Sequence, residues 1–216
     1  MLLNFKTIYK PAEIEFFEKG SRFIGYAYPM ECATAAMEQI SKICKMHAKA
    51  HHNCYAFRIG ANNEFTKQSD DGEPAGTAGM PILDFLQKSD IKNTLIVVTR
   101  YFGGTLLGKG GLVRAYGAAA KQACHAAHII EKIANQKFNI KVPYHLSGKM
   151  EHEIRGTPHF LKEIAYEENV NFEVYIETNQ TESFIKLINN TTAATAEIFQ
   201  GEAVYLAEVK GKKIIF

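Results

Sequence analysis

Glycine and basic residues are concentrated in residues 100–117, RYFGGTLLGKGGLVRAYG, directly after the apolar run TLIVV. Gly103 to Lys109 has the G-x-x-x-x-G-K spacing of a phosphate-binding loop, but Gly110 replaces the Ser or Thr that holds Mg²⁺, so nucleotide hydrolysis is not indicated. Glycine lets backbone N–H groups approach an anion, and a following helix start favours negative charge. A turn that only packs a strand on a helix is the alternative. The predicted phosphate- or nucleic-acid-binding residues are Arg100, Gly103, Gly104, Gly108, Lys109, Gly110, Gly111, Arg114 and Lys121.

Three carboxylates lie close together in QSDDGEPAGTAG, residues 68–79. Asp70, Asp71 and Glu73 could bind a ligand or Mg²⁺, or raise one another's pKa for acid–base chemistry. The same residue types suit turns, and Thr77 suits a helix N-cap. The spacing is not that of an EF-hand, so calcium is not indicated. A ligand or metal site and a purely structural turn both stay open.

Histidines cluster in HAKAHHNC, which contains His47, His51, His52 and Cys54. Such a set could bind zinc if one helix carried the first two histidines. The predicted helix ends near Ala50, which spoils that geometry, and no glutamate follows His47 as a metalloprotease motif requires. A structural role is therefore predicted, with no metal, no cofactor and no assigned catalytic residue.

Length and charge exclude several protein classes. The 216 residues suffice for one large domain or two of about 100 residues. The formal net charge of +2 gives no general attraction to nucleic acid or membrane, so a binding surface must come from local clustering. No apolar run suits a membrane span or an export signal, and no C-x-x-C pair is present. A cytoplasmic location without a membrane partner is predicted, with free thiols at Cys32, Cys44, Cys54 and Cys124.

The elements that must position these motifs follow from apolar periodicity. AEIEFFEKG and SRFIGYAYP predict a hairpin turning at Lys19-Gly20-Ser21. The glycine stretch is predicted to lie between the strand TLIVVTRYF and a helix over 112–127 with one basic face. The other predicted elements of this half are a helix over 32–50, the strand NCYAFRIG, a long loop over 61–76 and a short helix with Pro81 in its first turn.

A second pattern starts near residue 132. FNIKVPY and NFEVYIE predict strands, and 147–168 predicts a helix that carries Glu163, Glu167 and Glu168. Residues 183–199 predict one or two helices, and the last residues predict a hairpin turning at Lys210-Gly211. This order suits a ferredoxin-like unit. Domains over 1–132 and 133–216 are therefore predicted.

Four segments together resemble the YigZ/IMPACT family in order and spacing. They are SRF at 21–23, HNCYAFRIG at 52–60, DDGEPAGTAG at 70–79 and the glycine stretch at 100–117. The resemblance implies an α+β fold: a two-layer sheet-and-helix N-terminal domain like domain 2 of small-subunit ribosomal protein five, followed by a ferredoxin-like C-terminal domain. It implies no catalytic assignment.

Three functions follow from this resemblance and these motifs. Eukaryotic members of the family regulate translation by interfering with activation of a starvation-response kinase. The first expectation is therefore a translation-associated protein that binds RNA, a ribosome or a translation-factor partner through the basic loop and helix. A small-molecule enzyme is the second, with a phosphorylated ligand on the glycine loop, and it requires both motifs in one cleft. The third is a protein-interaction module. The acidic helix predicted near Glu163 disfavours RNA contact through the C-terminal part, and the oligomeric state stays open.

Overall fold

The computed structural model describes residues 2–216. They form two compact units, one of residues Phe5–Glu131 and one of Lys132–Phe216 together with the residues up to Asn4. Both units combine helices with an antiparallel sheet, so the α+β class is confirmed. No helix within residues 2–216 is long and apolar enough to span a membrane.

The first unit is built on a five-stranded sheet of order β2-β3-β6-β4-β5. Its hairpin β2–β3 turns on two residues, Lys19 and Gly20, which both have positive φ angles, 46° and 80°. This is the turn geometry that matches the twist of paired strands, and the predicted hairpin is confirmed. The elements are β1 (Asn4–Ile8), β2 (Ala12–Glu18), β3 (Ser21–Pro29), α1 (Ala33–Met46), β4 (His52–Ile59), β5 (Phe65–Ser69), α2 (Gly79–Lys88), β6 (Thr94–Tyr101) and α3 (Gly108–Ala126).

Both faces of this sheet are covered by helices. Phe23, Ala56 and Val98 belong to the apolar cluster that packs on α2 and α3. Tyr26 and Val97 point the other way and pack on α1. The central strand β6 is therefore buried on both faces, which explains its unbroken apolar run. The helix α1 adds a third layer to the two-layer arrangement expected from the sequence.

Two boundaries in this unit differ from the prediction. The loop expected over 61–76 contains the edge strand β5, whose mostly exposed polar residues hid its pairing with β4. The helix α3 begins at Gly108, four residues before the predicted start at 112. Lys109, Gly110 and Gly111 therefore lie in the first helical turn and not in the loop.

The second unit has the ferredoxin-like order strand, helix, strand, strand, helix, strand, with one strand more than the sequence predicts, and its sheet contains the path β11-β10-β7-β9-β8. Phe138, Phe172 and Val174 form its core with Met150 of α4 and Phe184 of α5. The elements are β7 (Ile129–Val142), α4 (Tyr144–Arg155), β8 (Phe160–Tyr166), β9 (Val170–Glu177), α5 (Thr181–Thr192), β10 (Glu197–Val209) and β11 (Lys212–Ile215).

The helix predicted over 147–168 is wrong beyond Arg155, where β8 replaces it. A bulge between Leu161 and Glu163 shifts the alternation of β8, so that Leu161 and Ile164 both pack on the core. Their three-residue spacing imitates a helical period. Glu163 therefore lies on a strand, and the acidic helix does not exist. Residues 197–199 likewise begin β10 and not a helix.

Candidate functional site

Two distant motifs meet in a buried ion pair. The Nη1 atom of Arg100, near the end of β6, donates to Oε1 of Glu73 at 2.7 Å. Both side chains are buried, with 5% of Arg100 and 3% of Glu73 exposed. Tyr116 Oη of α3 donates to the same oxygen at 2.7 Å, and Arg100 Nη2 donates to Ser21 Oγ at 3.1 Å. One strand end, one loop, one helix and one hairpin turn are thereby joined by a single polar network.

The surroundings of the pair are mostly apolar. The Arg100 guanidinium lies 5.5 Å from the ring centre of Phe23 and 5.6 Å from that of Phe102, distances suited to cation–π attraction. Burial raises the pKa of Tyr116, and the neighbouring Cys54 and Glu73 raise it further. Tyr116 therefore stays protonated and donates to Glu73. The Nε atom of Arg100 is buried without a hydrogen-bond partner among residues 2–216.

The glycine stretch contains residues with different structural roles. Gly103 packs against the hairpin turn, where an added Cβ would overlap the backbone of Gly20, and its N–H donates to Ser21 Oγ at 3.3 Å. Gly104 and Gly108 have φ angles of 85° and 71°, which favour glycine. These glycines shape the backbone between β6 and α3, while Gly110 and Gly111 belong to the first turn of α3.

The acidic motif is divided in the same way. Asp70 accepts backbone N–H groups of Gly76, Ala78 and Gly79 at 2.8–3.0 Å, where α2 begins. Asp71 accepts the backbone N–H of Asn53 at 2.6 Å. Asp70 therefore holds the loop at the start of α2, and Asp71 attaches the loop to β4. Of the three predicted carboxylates, only Glu73 lines the cleft that is described below. No group of three or more metal-ligating side chains is arranged for a metal ion within the described part of the chain.

Replacing Asp70 with alanine is expected to lower the free energy of unfolding by about 1–2 kcal/mol, since three N–H groups lose their acceptor. Partial burial opposes ionisation, but the N–H groups of Gly76, Gly79 and Ala78 lower the Asp70 pKa below 3.8. The stabilisation by ionised Asp70 is therefore fully present above pH 3.8. It is lost as the pH falls through the lower pKa that Asp70 has in the folded protein. Urea unfolding at several pH values measures this, with Asp84→Ala as the control, since the Asp84 side chain is nearly half exposed and its ion pair with Lys88 is long, at 3.7 Å. Equal effects of both substitutions would contradict the capping role.

The acidic and glycine motifs face each other across a cleft of about 460 Å³. We call it the motif cleft. Its walls are mainly apolar, and polar groups are few, which is typical of small-molecule sites. Its lining includes His51, His52, Glu73, Arg100, Lys109 and Leu112.

Two adjacent histidines in the motif cleft have opposite tautomers. The backbone N–H of Phe102 donates to Nδ1 of His51 at 3.1 Å, so the neutral His51 ring carries its proton on Nε2. His52 Nδ1 lies 2.8 Å from the carbonyl oxygen of Asp71, which only accepts, so His52 carries its proton on Nδ1. In the neutral rings, Nε2 of His51 is therefore a hydrogen-bond donor and Nε2 of His52 is an acceptor. The Nε2 atom of His52 lies 3.8 Å from Glu73 Oε2.

The other members of the histidine cluster lie elsewhere. His47 contacts Tyr26 Oη at 2.6 Å and Tyr101 Oη at 2.9 Å, next to the apolar cluster that packs on α1. Cys54 is buried, its pKa is raised by burial, and its thiol donates to the Asp70 carbonyl. The sequence does not predict the hydrogen bonds of His51 and His52, because their partners are backbone groups of distant residues.

The predicted basic residues do not form one patch. Lys109 lines the motif cleft, whereas Arg114 lines a separate concavity with Phe16, Glu18 and Lys19. Lys121 lies exposed two turns farther along the same side of α3 as Arg114. Arg100 is buried in its ion pair and cannot contact a phosphate chain on the surface.

Comparison with known proteins decides the family. The Impact N-terminal domain matches residues 19–124, which contain all four sequence segments described above, and a domain of unknown function, DUF1949, matches residues 140–195. The chain is 41% identical to IMPACT family member YvyE of Bacillus subtilis over 206 residues, 95% of each chain. The chain belongs to the IMPACT family.

Other IMPACT relatives match a smaller share of the chain. IMPACT family member YigZ of Escherichia coli is 39% identical over 129 residues, 59% of this chain and 63% of that protein. Human Protein IMPACT is 35% identical over 100 residues, 44% of this chain and 31% of that protein. A solved structure, "Crystal structure of an hypothetical protein", is 28% identical with a TM-score of 0.59, covering 94% of this chain and 99% of that one.

Proposed function

We propose that this IMPACT-family protein is a cytoplasmic, translation-associated protein that binds RNA through the exposed side of α3. The observation that carries the proposal is a basic stripe, which we define as Gly110, Arg114, Gly117 and Lys121. Their spacings of four, three and four residues place them on one side of the helix. Neither Arg114 nor Lys121 has an ion pair or side-chain hydrogen bond with any described residue, so both are available to phosphates.

The shape and charge of the basic stripe suit a phosphate backbone. A Cβ added at Gly117 would meet nothing within 4 Å, so no side chain covers the helix surface between Arg114 and Lys121. The helix contains no acidic residue, so no carboxylate on α3 repels a phosphate. Glu18 lines the concavity beside Arg114 but forms no ion pair with it within residues 2–216. The link to translation follows from the family resemblance.

The RNA proposal predicts salt-sensitive binding that depends on the basic stripe. Fluorescence anisotropy with a labelled single-stranded RNA across a salt series is the measurement. The Arg114→Ala/Lys121→Ala variant should bind more weakly, and its slope of log affinity against log salt should be shallower by about 1.4, since each lost phosphate contact contributes about 0.7. Cosedimentation with ribosomes over the same salt series tests the translational association.

A matched control removes the same charge from the opposite side of the sheet. Lys42→Ala/Lys45→Ala lies on α1, and both lysines are exposed. This variant should keep the wild-type salt slope. Equal losses in both double variants would show that only net charge matters, and absence of salt-sensitive binding by the wild type would reject the proposal.

A further inference from the structure

The motif cleft has features that RNA binding along α3 does not use. It lies next to the loop before α3 and includes none of Arg114, Gly117 or Lys121. Its volume of about 460 Å³ suits a compound of modest size. Leu106, Leu107 and Leu112 supply apolar wall, and Leu106 is 82% exposed. An apolar group of a ligand that packs on these leucines would bury their exposed surface, which favours binding.

The charge in the motif cleft favours an anion. Glu73 is its only acidic side chain and is already neutralised by Arg100 at 2.7 Å. Lys109 makes no ion pair with any described residue and lies in the first turn of α3, where no acidic residue is present. An ammonium group beside the N–H groups of a helix start is a common arrangement for phosphate recognition.

The histidines add directional hydrogen bonding at the same place. Nε2 of neutral His51 donates, because its Nδ1 is occupied by the Phe102 N–H. Nε2 of neutral His52 accepts, because its Nδ1 donates to the Asp71 carbonyl.

We propose that the motif cleft binds a small phosphate monoester whose organic part is apolar. The phosphate lies between Lys109, the first turn of α3 and the Nε2–H of His51. The organic part packs on Leu106, Leu107 and Leu112. The site is independent of the basic stripe, so the protein has two separate phosphate-recognising surfaces on the first unit.

Phenyl phosphate is a suitable probe because it combines the two features in one small molecule. Isothermal titration and amide chemical shifts of the full chain would measure its binding. It should bind at least about tenfold more tightly than inorganic phosphate, because burial of the ring adds hydrophobic free energy. Phenol lacks the charge and should not bind measurably. Benzoate tests whether a planar carboxylate can replace the phosphate, and it should bind more weakly than phenyl phosphate.

Variants locate the site and separate it from the RNA surface. Lys109→Ala and His51→Ala should each weaken phenyl phosphate by about three- to tenfold, the loss of one charged or polar contact. Arg114→Ala should leave its dissociation constant within about twofold, since Arg114 lies outside the motif cleft. Wild-type-like amide spectra would show that each variant is folded.

Four outcomes would overturn the proposal. They are no saturable binding of phenyl phosphate at millimolar concentration, equal binding of phenol, equal binding of benzoate, and loss on Arg114→Ala without loss on Lys109→Ala. RNA binding is measured separately with the Arg114/Lys121 variant. Failure of one proposal therefore leaves the other standing.

Discussion

Replacing Glu73 with leucine is expected to lower the free energy of unfolding by about 3–5 kcal/mol, because it leaves the Arg100 guanidinium buried without a counter-charge. The Oε1 atom of Glu73 accepts from both Arg100 and Tyr116 at 2.7 Å. Both donors would lose their acceptor in an environment where water cannot replace it. Urea unfolding monitored by circular dichroism measures the loss.

A double-mutant cycle separates the missing charge from the missing side-chain volume. Arg100→Met should also be strongly destabilising, since it leaves the Glu73 carboxylate unpaired. The combined Glu73→Leu/Arg100→Met variant should be less destabilised than the sum of both by about 2–3 kcal/mol. Additive effects would show that the pair contributes through packing alone.

An exposed ion pair in the same unit is the control. Glu15 and Arg22 also lie 2.7 Å apart, but their side chains are 38% and 44% exposed. Removing either partner should change stability only slightly, because water solvates the charge that is left. The contrast tests burial, since the two pairs have the same separation.

The two members of the buried ion pair can be singled out from the sequence, but their pairing cannot. The acidic motif predicts a ligand or metal role for Glu73, and the glycine motif predicts that Arg100 binds phosphate. They lie 27 residues apart, and their contact depends on how β6 and the loop before α2 are placed in three dimensions. No local spacing encodes that contact, so the pairing of Arg100 with Glu73 could not be predicted from the sequence.

The basic residues were grouped incorrectly for a geometric reason. Lys109 and Arg114 are five residues apart, which separates them by about 140° around a helix. The predicted start of α3 at 112 left Lys109 in a flexible-looking loop, where its direction was undefined. The observed start at Gly108 fixes Lys109 toward the motif cleft and Arg114 toward the basic stripe. Because the predicted start of α3 lies four residues too late, the motif cleft and the basic stripe are predicted as one surface.

Most strands and helices were predictable where apolar spacing was undisturbed. The hairpin β2–β3 and the strands β7 and β9 followed from local patterns. The strand β8 was lost because its bulge changes the spacing of inward residues from two to three. The strand β5 was lost because edge strands need no apolar face.

Replacing Gly103 with alanine is expected to lower the free energy of unfolding by about 3 kcal/mol or more, one of the largest effects of a single methyl group in this chain. The new Cβ would overlap the Gly20 carbonyl and the Ser21 nitrogen. These are backbone atoms, so no side-chain rotation relieves the clash. The hairpin turn and the loop before α3 would have to separate, which would also break the contact of Ser21 Oγ with the Gly103 N–H.

Gly117→Ala is the matched control, because the same methyl group enters α3 where nothing lies within 4 Å. It should raise the free energy of unfolding by up to about 1 kcal/mol, since alanine favours helix over glycine. Opposite signs in urea unfolding would show that Gly103 is required for close approach of two backbones and not for flexibility. If Gly103→Ala left stability unchanged, the loop would be free to move away from the hairpin, and the motif cleft would then lack the fixed wall that its proposed ligand needs.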